Sequence, residues 1–156
     1  MENTDVPNAV FVAIDPPEGV LAAQDAIGAV HAGWRGSAAN VAGAAAEALL
    51  GLTNDPESAR AWLGPSIGAC CYEVGGEVAA RFTSEFLLAD GGRHRLDLPA
   101  VVRSQLEAAG IQRERISPHP SCTMCGGDRF ASFRRDGERA GRMIALVARL
   151  GGRMRQ

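Results

Sequence analysis

Six consecutive residues, His31-Ala32-Gly33-Trp34-Arg35-Gly36, bring an imidazole, an indole and a guanidinium together. An imidazole titrates near neutral pH and can carry a proton or ligate a metal. A guanidinium offers a planar fork to the oxygens of phosphate or carboxylate. The two glycines permit tight turning and close approach of backbone to a ligand. These residue types suit proton transfer beside an anion. An ordinary strand–helix turn, with a satisfied histidine and a core tryptophan, accounts for the same spacing equally well.

The four cysteines fall into two groups, Cys70-Cys71 and Cys122-Thr123-Met124-Cys125. A structural zinc site needs four ligands, usually from two separated pairs. Adjacent cysteines do not easily reach one ion, and His119 with the CxxC makes only three ligands. A redox CxxC is expected at an early strand end leading into a helix, whereas this one lies late, between proline and glycine. Buried small thiols are the plainer reading of the CxxC. Cys70 or Cys71 beside His31 suggests a thiol nucleophile of hydrolase or deamidase type, with a packed thiol as the alternative. Arg134-Arg135-Asp136-Gly137 reads either as a phosphate clamp or as a turn closed by its own ion pair.

Elements must hold these groups in place. The apolar runs 9–14 and 26–30 predict buried strands, so that His31 ends a strand. An alanine-rich helix is expected over 37–50, capped by Ser37, with Val41, Ala45, Ala48, Leu49 and Leu52 at helical spacing and Gly51 as its stop. The helix N-terminus favours an anion. The segment 15–17 reads as a strand terminator, and 20–24 as hairpin or helix. Asp55-Pro56-Glu57 looks like a cap with proline in the first turn, followed by a strand at 61–63. The segment 64–72 carries the glycine punctuation of a functional loop. Val78, Phe82 and Phe86 predict a helix, Asp90-Gly91-Gly92 a turn, and Leu96 the end of a brief strand. Asp97 caps a helix with Val101, Val102, Leu106 and Ala109, stopped by Gly110. Ile116 sits in a short strand, and 143–147 reads as a last one. Alternating strands and helices predict an α/β layered sandwich whose sheets are mixed as readily as parallel.

The chain of 156 residues fits one domain over 1–156. Its sixteen basic residues are all arginine, and the net charge of −2 leaves no basic block for nucleic acid. No apolar run is long enough for a membrane span. The first residues lack the features of a signal peptide, so the cytoplasm is the expected location and the thiols are expected reduced.

Three blocks in order resemble one family: His31-Ala-Gly-Trp-Arg-Gly36, Gly64-Pro-Ser-Ile-Gly-Ala-Cys-Cys-Tyr-Glu-Val-Gly75, and Arg129-Phe-Ala-Ser-Phe-Arg-Arg-Asp-Gly137 followed by Gly141-Arg142. They are similar to the polyphenol oxidase laccase-domain family of YfiH- and YlmD-like proteins. The resemblance implies an α/β sandwich with mixed sheets. It implies phosphorolysis of purine nucleosides and deamination of adenosine; older naming implies copper-dependent phenol oxidation. His31 and Arg35 would be catalytic, and Gly33, Gly64, Ser66 and Arg135 would bind nucleoside and phosphate. The family's metal, usually zinc, is held by two histidines and a cysteine, of which His31 is one. The cysteine belongs to a Thr-Ala-Asp-Cys segment where this chain has Thr4-Asp5-Val6-Pro7. The other histidine belongs to roughly the first third of the family sequence, expected to be missing here. Two readings follow: an enzyme of this family, or a catalytically silent domain that self-associates or binds a partner.

Overall fold

The computed structural model describes residues 9–14, by backbone alone, and residues 26–145. In chain order the strands are β1 (Ala9–Ile14), β2 (Ile27–His31), β3 (Ala59–Leu63), β4 (Glu73–Val74), β5 (Leu87–Asp90), β6 (Arg93–Leu96) and β7 (Ile116–Pro118). The helices are α1 (Trp34–Ala38), α2 (Val41–Leu50), α3 (Gly76–Ala79), α4 (Leu98–Ala108) and α5 (Phe133–Asp136). One sheet runs β2-β1-β3-β7 and the other β4-β6-β5. β1 is antiparallel to β2 and β3, while β3 and β7 are parallel. This is the mixed-sheet α/β architecture that the sequence predicts.

The topology makes β2, β3 and β7 finish at the same end of their sheet. His31 lies opposite Ala9, Leu63 opposite the next residue, Val10, and Pro118 opposite Leu63. The loops that follow these strands therefore leave side by side.

One face of this sheet is covered. Alternation in β3 turns Ala59, Ala61 and Leu63 inward, as a half-buried strand requires. They pack with Ala42, Ala46 and Leu49 of α2, Val102 and Leu106 of α4, and Ile116. Leu98 and Val101, earlier on α4, join a second core with Ile67, Tyr72, Val78 and Leu96. α4 thus belongs to both cores. On the opposite face of the first sheet Ile27, His31, Arg60 and Trp62 are exposed, Trp62 by 42%.

Several local expectations change. The helix expected over 37–50 is two helices, because Asn40 adopts φ 58 between α1 and α2; asparagine tolerates this left-handed conformation. Ser37 lies inside α1, and its hydroxyl donates to the Ala32 carbonyl at 3.4 Å instead of capping. Gly33 holds the N-cap position. The buried face of α2 is Ala42, Gly43, Ala46 and Leu49, while Leu52 is 59% exposed. Small residues at i, i+4 spacing let this helix settle close to its neighbours, and the larger Val41 is left at the margin. The expected helix through Phe86 stops after one turn, since Thr83 is extended. Phe82 and Phe86 still pack against the second core.

Asp97 caps α4 as expected, accepting the Ala100 N–H at 3.0 Å. Beyond its end Gly110 takes φ 104. Gly91 and Gly92, both at positive φ, close the β5–β6 hairpin. Residues 143–145 carry no regular structure. The expectations for 15–17, 20–24 and 146–147 lie outside the described residues.

Candidate functional site

Three of the loops at the shared sheet end carry the sequence-predicted residues. His31 is the last residue of β2 and is exposed on the same sheet face as Ile27 and Trp62. After it the chain turns through Ala32 and Gly33 into α1. Only five residues form this helix, too few for a strong macrodipole. Arg35 is exposed, and its guanidinium carbon stands 4.5 Å from the Trp34 ring centroid, a cation–π stack. Trp34 packs into the second core, which fixes the direction in which the HAGWRG turn leaves the sheet. A Cβ on Gly36 would come within 2.9 Å of Val41 Cγ1. Glycine there lets α1 fold back on α2.

The second loop, 64–72, follows β3. Its Ser66 is buried and forms a parallel bridge to Cys122. The Ser66 carbonyl accepts the Thr123 N–H at 2.9 Å. Gly64, half-buried, continues β3 directly. The third loop follows β7, where the His119 N–H donates to the Leu63 carbonyl at 2.9 Å. The His119 ring is held locally, its Nδ1 accepting the Ser121 N–H at 3.1 Å.

Arg135 organises this third loop. Its Nη1 donates to the carbonyls of Thr123 (3.1 Å) and Gly127 (2.8 Å). Its Nη2 donates to the Phe130 carbonyl (3.0 Å) and Asp136 Oδ2 (2.7 Å). Its Nε reaches Asp136 Oδ1 at 2.9 Å. A guanidinium has five N–H donors, and all five are engaged within the loop. The Arg135 hydrogen bond holds the Asp136 carboxyl below its ordinary range, and the same contact raises Arg135.

Sequence reasoning separated the two cysteine groups; the fold unites them. The sulfurs of Cys70, Cys71, Cys122 and Cys125 all lie within 4.8 Å of one another. Cys70 and Cys71 occupy a turn, with the N–H groups of Cys71 and Tyr72 both directed to the Gly68 carbonyl. Successive side chains diverge by about 180° in a strand but by about 100° in a helical turn. Adjacent cysteines can therefore reach one point from a turn, which corrects the expectation. Burial pushes the Cys122 thiol up, but backbone N–H groups of Cys125, Gly68 and Met124 outweigh it and set it at about 6. Burial raises both Cys70 and Cys71. That direction opposes a nucleophilic thiolate, and no hydrogen bond joins either thiol to His31 among the described residues.

The metal that the family resemblance implies does not fit His31 as it stands. Among the described residues, the one group of three or more His, Cys, Asp or Glu close enough to hold an ion is the four cysteines. One imidazole is too few for the three protein ligands of a catalytic zinc. No chemical step is drawn through a metal at His31.

A cavity of about 480 Å³ opens elsewhere, beside Tyr72, Glu73, Glu77, Met124 and Arg134. Of the residues that the sequence singles out, Cys71 and Arg134 line it, whereas His31, Gly33, Arg35, Gly64, Ser66 and Arg135 do not. Arg134 lies over the Tyr72 ring at 5.3 Å and donates to the Glu73 carbonyl at 3.0 Å. Two carboxylates beside one guanidinium make a poor seat for phosphate, so the sheet end is the better candidate despite its openness.

Comparison with known proteins gives a consistent picture. The sequence model described as multi-copper polyphenol oxidoreductase laccase matches residues 20–150. A purine nucleoside phosphorylase of Xylella fastidiosa (strain 9a5c) is 41% identical over 137 residues, covering 82% of this chain and 51% of that protein. Adenosine deaminase RL5, from an unknown prokaryotic organism, is 33% identical, covering 89% of this chain and 54% of its own length. The crystal structure of Bacillus licheniformis hypothetical protein YfiH superposes with a TM-score of 0.70 at 30% identity, over 84% of this chain and 51% of that one. The chain spans about half the length of the curated relatives it matches.

Proposed function

We propose a function from one premise: this chain belongs to the multi-copper polyphenol oxidoreductase laccase family. The proposed reaction is phosphorolysis of purine nucleosides, with adenosine and inorganic phosphate as substrates. Relatives named for that activity support it. The observation that carries it is the common sheet end on which β2, β3 and β7 finish, with His31 and Arg35 exposed beside it.

In this reading Arg35 holds phosphate through its fork, stiffened by the stack on Trp34. A phosphate oxygen forms a bond to the ribose C1′ while the C1′–N9 bond breaks. The electron pair of that bond leaves on the purine, and the His31 imidazolium supplies the proton that neutralises it. His31 then regains a proton from solvent. Gly33 and Gly64 let backbone approach the nucleoside, and Ser66 anchors the second loop to the third. Arg135 acts indirectly, by ordering the third loop with all five donors. The products are the free purine and ribose 1-phosphate.

Incubation of the purified chain with adenosine and phosphate, followed by chromatography, tests this. Adenine with equimolar ribose 1-phosphate is expected, abolished in His31→Ala and Arg35→Ala. No product, with or without added zinc, overturns the reading. Inosine in place of adenine assigns the chain to deamination instead.

The sheet face left open among the described residues favours a second reading, a domain whose face is closed by another chain. Ile27 and Trp62 are exposed there by 36% and 42%, and exposed apolar patches mark interfaces. Light scattering showing a dimer or larger species supports it; a compact monomer at high concentration contradicts it.

A further inference from the structure

We propose that Cys70, Cys71, Cys122 and Cys125 together form a tetrathiolate zinc site that clips the loop after β3 to the loop after β7. It uses none of the ligands implied by the family resemblance, and it does not depend on the purine reading.

The geometry of the sulfurs comes first. A tetrahedral zinc with Zn–S bonds of about 2.3 Å sets its sulfurs about 3.8 Å apart. The Cys70 and Cys125 sulfurs are 3.7 Å apart, and every pair is within 4.8 Å. All four are free thiols. Side-chain adjustments of under an ångström would bring the set to tetrahedral spacing. Four soft sulfur donors in this arrangement select zinc or iron–sulfur chemistry over hard cations.

The surrounding backbone supports the same reading. Cys122 Sγ accepts the Gly68 N–H at 3.2 Å, and the N–H groups of Met124 and Cys125 also point to it. Such charge-assisted donors suit a thiolate held as a ligand, because they orient and steady the sulfur. The Gly126 N–H donates to the Cys122 carbonyl at 2.8 Å, and a Cβ at Gly126 would collide with that carbonyl. The turn that folds Cys125 back beside Cys122 therefore requires glycine there. A Cβ at Gly68 would meet Cys122 Cβ and Cys70 Sγ, each at 3.4 Å. The backbone is drawn in around the sulfurs from both loops.

Position gives the clip its consequence. Between these loops the described direct links are thin: the Ser66–Cys122 bridge, the Thr123 N–H to Ser66 and the Gly68 N–H to Cys122. A metal joining residues 70–71 to 122–125 closes a loop of some fifty residues. Cross-links over long loops restrict the unfolded chain most, and a structural zinc ties its binding free energy to folding.

The test uses the whole chain, purified under reducing conditions, with metal analysis and thiol titration. One zinc per chain is expected, with all four thiols slow to react until a chelator is added. Cys122→Ser and Cys125→Ser should lose the zinc, whereas His31→Ala should keep it. Because a cysteine variant can fail by misfolding, cobalt(II) is also loaded into the unmutated chain. Sulfur-to-metal charge-transfer absorption with tetrahedral d–d bands is expected. Absent metal in the unmutated chain, a cobalt spectrum without sulfur charge transfer, or zinc retained in Cys122→Ser overturns the proposal. Iron or copper in place of zinc overturns the metal assignment, and a Cys70–Cys125 disulfide in the metal-free protein overturns the site.

Discussion

Gly68 donates its backbone N–H to the sulfur of Cys122 at 3.2 Å, across 54 positions of sequence. One glycine without a side chain thereby brings two motifs, GPSIG and CxxC, into direct contact. Both loops also leave the sheet at the end where β2 finishes with His31 and turns into α1, which carries Arg35.

Removing the metal should soften this end of the molecule. For a chain holding zinc at a hundred times its dissociation constant, the stabilisation is about 2.7 kcal/mol. At about 2–4 °C per kcal/mol for this size, a chelator should lower Tm by several degrees. Calorimetry with and without chelator measures it; an unchanged Tm contradicts the clip.

His31→Ala and Arg35→Ala should separate chemistry from stability. Both side chains are exposed, so His31→Ala should change stability by no more than about 0.5 kcal/mol. Loss of the Trp34 stack in Arg35→Ala should cost about 0.5–1 kcal/mol. Activity should vanish in both while urea midpoints stay near that of the parent. A large stability loss would assign these residues to the framework instead.

Arg135→Lys should damage the third loop almost as much as Arg135→Ala. An ammonium cannot serve three carbonyls and both oxygens of Asp136 from one planar fork. Hydrogen exchange near Thr123 and Phe130 should accelerate in both variants. The pair also sets a pH dependence. Because the folded-state pKa of Asp136 is lowered, its contribution is complete above the unfolded carboxyl value, about 3.9. It is lost as pH falls through the depressed value. Thermal scans from pH 5 downward should show this acid loss, and Asp136→Asn should reduce it.

Leu106→Ala should cost about 2–5 kcal/mol, as deletion of a fully buried side chain does. Since α4 contributes to both cores, the loss should appear equally in tryptophan fluorescence and circular dichroism. Two separated transitions would mean that the cores unfold independently.

Local signals in the sequence carry much of the fold. The apolar run that ends in Val30 and His31, the Asp97 cap and the Gly91-Gly92 turn each depend on near neighbours, and each is where the sequence predicts it. The split at Asn40 is hidden because an alanine-rich segment has high helix propensity throughout. β5 is missed because its four residues carry little alternation. The cysteine cluster is hidden for a different reason. It depends on the parallel pairing of β3 with β7 and on a turn at Cys70-Cys71, neither of which sequence spacing reveals. Arg135 reads equally as clamp or as local ion pair until its five acceptors are in place.

The central structural claim is that the loops after β3 and β7 are joined through four sulfurs. X-ray absorption at the zinc edge of the purified chain tests it most directly. The account predicts four sulfur scatterers at about 2.3 Å and no nitrogen or oxygen in the first shell. A first shell containing nitrogen or oxygen at about 2.0–2.1 Å, or a sample without zinc, would contradict it.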